Sequence, residues 1–327
     1  MKKSQACVTD YFNYKGGKVT GKIVKKDCEL LNFIADYKFI TVRQLSALSQ
    51  RSCQVLRRRL RVLVNDALVT RMRAYGRGSG RPEELYVLTE KGRGRLQKDG
   101  IPSTDIVDIT DKKMDSIFID HDFLVNWFRI HLLEIERLIP SLTVLFLTAH
   151  SNTLNQNKGD RFFLQERIPF DNNREKFIEF IPDGMFSITN NEAEPKKTLL
   201  FFLEVDMGTE TIASLDRNFK DIRQKIINYQ ALFHSGCYKR YERVFDVKLN
   251  GFRLLFLANT PVRLIALCRL AKAMPPSDFV WLTDQERMFS RGVSADIWAR
   301  GGRHDEPLQS ILGPKLSRKA TVVDCIR

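Results

Sequence analysis

Apolar positions along this chain follow two regimes. From residue 27 to residue 66 they recur every three or four positions, the spacing that gathers them on one face of a helix. Leu30, Leu31, Ile34 and Tyr37 mark a first helix over 27–37, and a second follows to Leu48 with Thr41 as its N-cap. After the polar turn Ser49 to Ser52, a third helix runs from Cys53 to Asp66 with the stripe Val55, Leu56, Leu60, Leu63 and Val64. The period then shortens. Ala67 to Arg73 and Leu85 to Leu88 read as strands around a Gly-rich tip, Tyr75 to Pro82, and Thr89 opens another helix.

Residues 99–118 are polar and acid-leaning, a linker pattern, and beyond them a second series of elements begins. Phe123, Leu124, Trp127, Ile130, Leu133 and Leu138 predict a helix from Asp120 to Leu138. Strands are predicted at Thr143 to Thr148, Phe162 to Ile168, Phe180 to Gly184 and Leu199 to Asp206, with 150–160 a polar loop and Thr189 to Lys197 a turn. A long helix is expected from Gly208-Thr209 to about Phe233, with Leu215, Phe219, Ile222, Ile226 and Tyr229 buried. Strand Arg253 to Ala258, helix Pro261 to Ala273 and strand Phe279 to Leu282 complete the pattern, and the segment after Gly301 reads as irregular. Strands interleaved with helices predict an α/β domain whose mixed sheet is covered on both faces. The division is therefore an N-terminal tail (1–24), a small helical unit (25–98), a linker (99–118), the α/β domain (119–300) and a C-terminal tail (301–327).

Charge sharpens this division. The chain of 327 residues carries a net charge of +14, and residues 1–100 hold 22 Lys and Arg against 9 Asp and Glu, whereas the remainder holds 31 against 30. A basic unit joined to a neutral one suits a module that binds a polyanion, nucleic acid above all, and delivers the second domain to it. The six cysteines form no Cys-x-x-Cys pair, which argues against structural zinc and a disulfide framework. No apolar run approaches a membrane span and the N-terminus lacks a signal-peptide core, so a soluble cytoplasmic protein is expected.

Two short helices joined by a tight turn, the second rich in Arg, match the helix-turn-helix pattern. With the Gly-rich hairpin and Tyr86-Val87-Leu88-Thr89-Glu90-Lys91-Gly92 after them, they resemble the winged helix-turn-helix of bacterial DNA-binding proteins. On that resemblance Arg57, Arg58, Arg59 and Arg61 lie on the recognition helix, where arginine can pair with guanine edges. Arg77 and Arg81 lie on the wing and suit phosphate or minor-groove contact. Any one of these arginines also reads as part of a solvated basic face.

The second candidate chemistry is acidic. Leu199 to Leu203 are unbroken apolar residues running into Glu204-Val205-Asp206, so Glu204 and Asp206 share one strand face. If the strand holding Asp183 pairs alongside, three carboxylates converge at one sheet end, a cluster that calls for a divalent cation or an added proton. The same residues also read as a turn cap at Asp183 and ordinary salt bridges at Glu204 and Asp206.

Pro182-Asp183 followed by Glu204-x-Asp206 on the next strand resembles the restriction-endonuclease-like nucleases, which carry Pro-Asp and then Asp/Glu-x-Lys. More narrowly, a winged helix followed by Pro-Asp-Gly and Phe-Leu-Glu-Val-Asp-Met-Gly-Thr is similar to the bacterial replication-relaxation family, which includes plasmid mobilisation relaxases. That resemblance implies a metal-dependent nickase or relaxase of a mobile element, with Asp183, Glu204 and Asp206 as ligands of Mg²⁺ or Mn²⁺. Its partners would be double-stranded DNA at an origin or mobilisation site and relaxosome or coupling proteins. Asp206 stands where the nuclease pattern has Lys, and Lys225 on the following helix is the candidate replacement. The five histidines include no His-x-His pair, which disfavours the histidine-cluster, tyrosine-nucleophile mechanism, although Tyr229, Tyr238 and Tyr241 lie in or beside a basic region. The alternatives are a non-catalytic replication or transcription regulator on a degenerate nuclease fold, and a defence or transposition endonuclease.

Overall fold

The computed structural model describes residues 23–73, 83–100, 116–148, 164–170, 173–214, 221–320 and 322. The N-terminal unit runs α1 (Lys25–Asp36), β1 (Phe39–Thr41), α2 (Val42–Ser49), α3 (Cys53–Asn65), β2 (Val69–Arg73), β3 (Glu84–Leu88) and α4 (Glu90–Lys98). Side-chain oxygens start three of its helices: Thr41 accepts from Gln44 N, Ser52 from Val55 N and Thr89 from Gly92 N. Gly92 is required by packing, since a Cβ there would come within 2.2 Å of the Leu68 carbonyl oxygen. The sheet order β1-β3-β2 is antiparallel, with Phe39 opposite Val87 and Val69 opposite Leu88. The sequence pattern missed β1 because three residues are too few to show alternation. It also misassigned Val55, which is 39% exposed, whereas Val62 is buried beside Leu56, Leu60 and Leu63.

The second part begins with α5 (Ser116–Leu138) and continues through β4 (Leu142–Leu147), β5 (Glu166–Phe170), β6 (Asn173–Phe180), β7 (Gly184–Asn190) and β8 (Lys197–Asp206). It ends with α6 (Ile222–Ser235), α7 (Glu242–Phe245), β9 (Phe252–Ala258), α8 (Pro261–Lys272), β10 (Val280–Asp284), α9 (Gln285–Arg291) and β11 (Ala299–Arg300). The main sheet has the order β11-β10-β9-β8-β7-β4, with β8, β9 and β10 parallel and the rest antiparallel. This is the expected mixed α/β architecture.

Helix α5 starts at Ser116, inside the expected linker, β5 runs on to Phe170, and three further features differ from the sequence reading. Phe180 to Gly184 is not one strand: β6 ends at Phe180, pairs with β5 alone, and leaves Pro182 and Asp183 in a link before β7. Proline has no N–H for a ladder, so it interrupts pairing there. The helix expected from Gly208 begins only at Ile222, capped by Asp221, and Leu215 and Phe219 lie outside the described residues. The irregular segment after Gly301 is packed rather than loose, with Ser310, Ile311 and Val322 buried.

Alternation along β8 divides the core into two. Phe201, Leu203 and Val205 face α5, Trp298 and the N-terminal unit, while Leu200 and Phe202 face α6 and α8. Helix α5 is shared by both parts of the chain. Asn126 Nδ2 donates to the Tyr37 and Phe39 carbonyls, and Arg137 donates to those of Ala47 and Leu48. Arg129 reaches Asp36 and lies 3.9 Å over the Tyr37 ring. These donors satisfy carbonyls at the ends of α1 and α2 and at the start of β1. Among the described residues, no helix is long and apolar enough to cross a membrane.

Candidate functional site

The acidic site forms where β7 and β8 meet. Gly184 pairs with Leu203 in antiparallel register, which brings the preceding Asp183 up beside Glu204. The Val205 N–H donates to Asp183 Oδ2 at 2.7 Å and locks that link against the strand. Gly184 lets the Phe146 ring close over the link, since a Cβ there would lie 2.4 Å from that ring and push it aside. That ring stacks on Phe186, which stacks on Phe201, an aromatic column on the sheet face opposite Glu204.

Glu204 is 3% exposed and points toward α6. Lys225 Nζ meets its Oε2 at 3.1 Å, and the Tyr229 hydroxyl donates to its Oε1 at 2.6 Å. One helical turn separates these two donors, so a single face of α6 grips both carboxylate oxygens. Burial pushes the Glu204 pKa up to about 7 against the pull of Lys225, with Asp183 adding to the rise. Burial opposes the charge on Lys225, but Glu204, Asp183 and Glu210 outweigh it and raise its pKa. Glu210, on the loop after β8, also holds Lys225 at 3.0 Å. Burial drives the Tyr229 hydroxyl well above its ordinary range.

Asp206 departs from the expected cluster. It shares the strand face of Glu204, yet lies opposite α8, where Arg263 Nε meets Oδ2 at 2.5 Å and Nη2 meets Oδ1 at 3.2 Å. The Gly208 N–H takes Oδ1 as well. Two residues along β8 is enough to move the side chain from one helix to the next, so the three carboxylates do not converge. Among the described residues no group of three His, Cys, Asp or Glu is spaced to hold a metal ion. Asp183 and Glu204 remain as a pair of hard oxygen donors, one buried and raised in pKa, which a cation would suit. Mg²⁺ is ordinarily held by one or two carboxylates and completes its shell with water and phosphate oxygens, so the pair fits and Asp206 does not belong to it.

His121, beside Asp122 at the start of the helix predicted from Asp120, reads in the sequence as a packing or capping residue. Its Nε2 lies 3.0 Å from Asp183 Oδ2 and its Nδ1 3.2 Å from Asp122 Oδ1. Burial opposes its protonation, but Asp122 and Asp183 outweigh burial and raise its pKa to about 10. The signal in sequence was slight: a histidine beside an aspartate at a helix start. Arg263 gave none, since it stands in an ordinary amphipathic helix. Tyr229 and Tyr241 are fully buried and Tyr238 nearly so. Tyr229 serves Glu204, and Tyr241 donates to buried Glu166.

On α3, Arg57, Arg58 and Arg61 are exposed. Arg59 is not available in the same way, because Nε and Nη2 grip the buried Asp27 carboxylate at 2.9 and 2.5 Å. Arg77 and Arg81 lie outside the described residues. A family model described as Replication-relaxation matches residues 31–247, about two thirds of the chain. No curated protein and no solved structure matches it.

Proposed function

The chain belongs to the replication-relaxation family, and on that premise we propose that it is a DNA-binding protein of a mobile element that nicks one strand at a plasmid origin or mobilisation site. One observation carries the cutting step: Asp183 and Glu204 stand side by side at a sheet end, with Lys225 Nζ 3.1 Å from Glu204. In this reading Asp183 and Glu204 hold Mg²⁺ or Mn²⁺. Such an ion would supply polarisation of the scissile phosphate, a lowered pKa for bound water and stabilisation of the leaving 3′ oxygen. Lys225 keeps a positive charge beside the phosphate and so replaces the lysine whose place Asp206 takes. Tyr229 fixes Glu204 through its hydroxyl rather than attacking the DNA. Arg263 holds Asp206 and the carbonyl of Glu210, and so anchors the loop that follows β8. The N-terminal unit acts as a winged helix, with Arg57, Arg58 and Arg61 reading the major groove.

The test is conversion of supercoiled plasmid carrying the native flanking DNA, with Mg²⁺ or Mn²⁺ and with EDTA, for wild type and Glu204→Ala. Metal-dependent open circles that vanish in the variant are expected, with gel-shift affinity unchanged. A wild type that binds tightly without nicking would sink the cutting step.

A second reading is a non-catalytic DNA-binding regulator of replication or transcription on the same fold. It is favoured by the capture of Asp206 by Arg263. It predicts equal DNA binding with and without divalent metal and no open circles under either condition.

A further inference from the structure

The nicking reading leaves unused a line of contacts that starts outside the acidic pair. Lys38, on the turn between α1 and β1, meets Asp122 Oδ2 at 3.3 Å. Asp122 Oδ1 lies 3.2 Å from Nδ1 of His121, and Nε2 of His121 lies 3.0 Å from Asp183 Oδ2. The imidazole is thus set between two carboxylates, with Asp122 fixed from behind by Lys38.

What this does to Asp183 follows from where that residue stands. It belongs to no strand, so no ladder holds its backbone on both sides, and its side chain needs its own restraints. Two donors, His121 Nε2 and the Val205 N–H, fall on the same oxygen, Oδ2. Among the described residues Oδ1 has no hydrogen-bond partner. A carboxylate restrained through one oxygen cannot rotate freely about its terminal bond, and the other oxygen is left in a fixed position for a ligand. Partners behind a ligating group commonly set its orientation in this way.

We propose that His121 is a positioning residue for the cutting reaction: it fixes Asp183 through Oδ2 and leaves Oδ1 as the ligand oxygen for the divalent cation, with Asp122 and Lys38 setting the imidazole. The inference rests on the nicking reading. His121 touches neither DNA nor metal in it, and its effect passes through Asp183.

The experiment is calorimetric titration of Mn²⁺ into the full-length protein, wild type beside His121→Ala and His121→Gln, with nicking followed against Mn²⁺ concentration. His121→Ala should weaken Mn²⁺ binding about 10-fold or more and shift half-maximal nicking to higher Mn²⁺ by a similar factor. His121→Gln should recover part of the loss, because its amide N–H can donate to Oδ2. Unchanged Mn²⁺ affinity in His121→Ala would overturn the role of His121 while leaving the nicking reading intact. A wild type that neither binds Mn²⁺ nor nicks would overturn both. If His121→Ala melts early, Asp122→Asn carries the same test, since it removes the charge that sets the imidazole: weakened Mn²⁺ binding supports the inference and unchanged binding overturns it.

Discussion

Glu204 is pulled in opposite directions by its surroundings, and the balance is what makes it useful. Burial disfavours its charge and brings the pKa up to about 7, while Lys225 draws it down. A divalent cation needs the carboxylate form, so nicking should rise with pH through about 7 as Glu204 loses its proton. Replacing Lys225 with Met removes the largest lowering influence and leaves only the Tyr229 hydroxyl to oppose burial and Asp183. The rising limb should therefore move to higher pH in Lys225→Met, and the plateau should fall on the order of 10²-fold through loss of charge beside the phosphate. Rate against pH at saturating Mn²⁺ for both proteins checks this. A limb that stays in place would mean that Glu204 is not the titrating group.

Helix α5 shows why some elements are legible in sequence and others are not. Its existence followed from Leu124, Trp127 and Ile130 at helical spacing, and the caps of α2 and α4 from Thr41 and Thr89. Such features depend on neighbours in sequence, as does the alternation that put Glu204 and Asp206 on one face of β8. What escaped depends on chain segments that meet only after folding: the three-residue β1, the grip of Arg263 on Asp206, and the approach of His121 to Asp183. The approach of Lys225 to Glu204 is partly legible, because Lys225 flanks the apolar stripe Ile222, Ile226 and Tyr229 on α6. Periodicity also missed that α5 is buried nearly all round, with polar Asn126, Arg129 and His131 inside. His131 lies among Trp127 and Phe289, and burial lowers its pKa to about 4. A lowered pKa means the unfolded chain binds the proton first, so stability is full above pH about 6.5 and is lost as pH falls toward 4. His131→Phe should escape this loss. Its advantage over wild type in urea unfolding should grow by roughly 3 kcal/mol across that interval, and a constant difference would show that His131 is not held neutral.

Across the whole molecule, excess positive charge lies at one end and the acidic site at the other part of a shared core. Residues 1–100 hold 22 basic against 9 acidic residues, and α5 joins that basic unit to the sheet by burying side chains from both. On the proposed function, binding would belong to the basic unit and cutting to the acidic site, and variants should separate them. Arg57 and Arg58 are exposed on α3, so Arg57→Ala with Arg58→Ala should leave the melting temperature unchanged and lower discrimination for the native site about 10-fold or more. Metal-dependent nicking of unrelated plasmid should persist in that variant, because the acidic site is untouched. Arg59→Ala should do the reverse. Its guanidinium neutralises an Asp27 carboxylate that is 1% exposed, so its loss strands a buried charge and costs roughly 3 kcal/mol of stability while the native-site preference of the folded fraction holds. Melting curves and competition gel shifts on the two variants decide the matter. If Arg59→Ala lost discrimination at an unchanged melting temperature, the DNA-facing side of α3 would have to be turned toward Asp27, and Arg57 and Arg58 would be left as a solvated face.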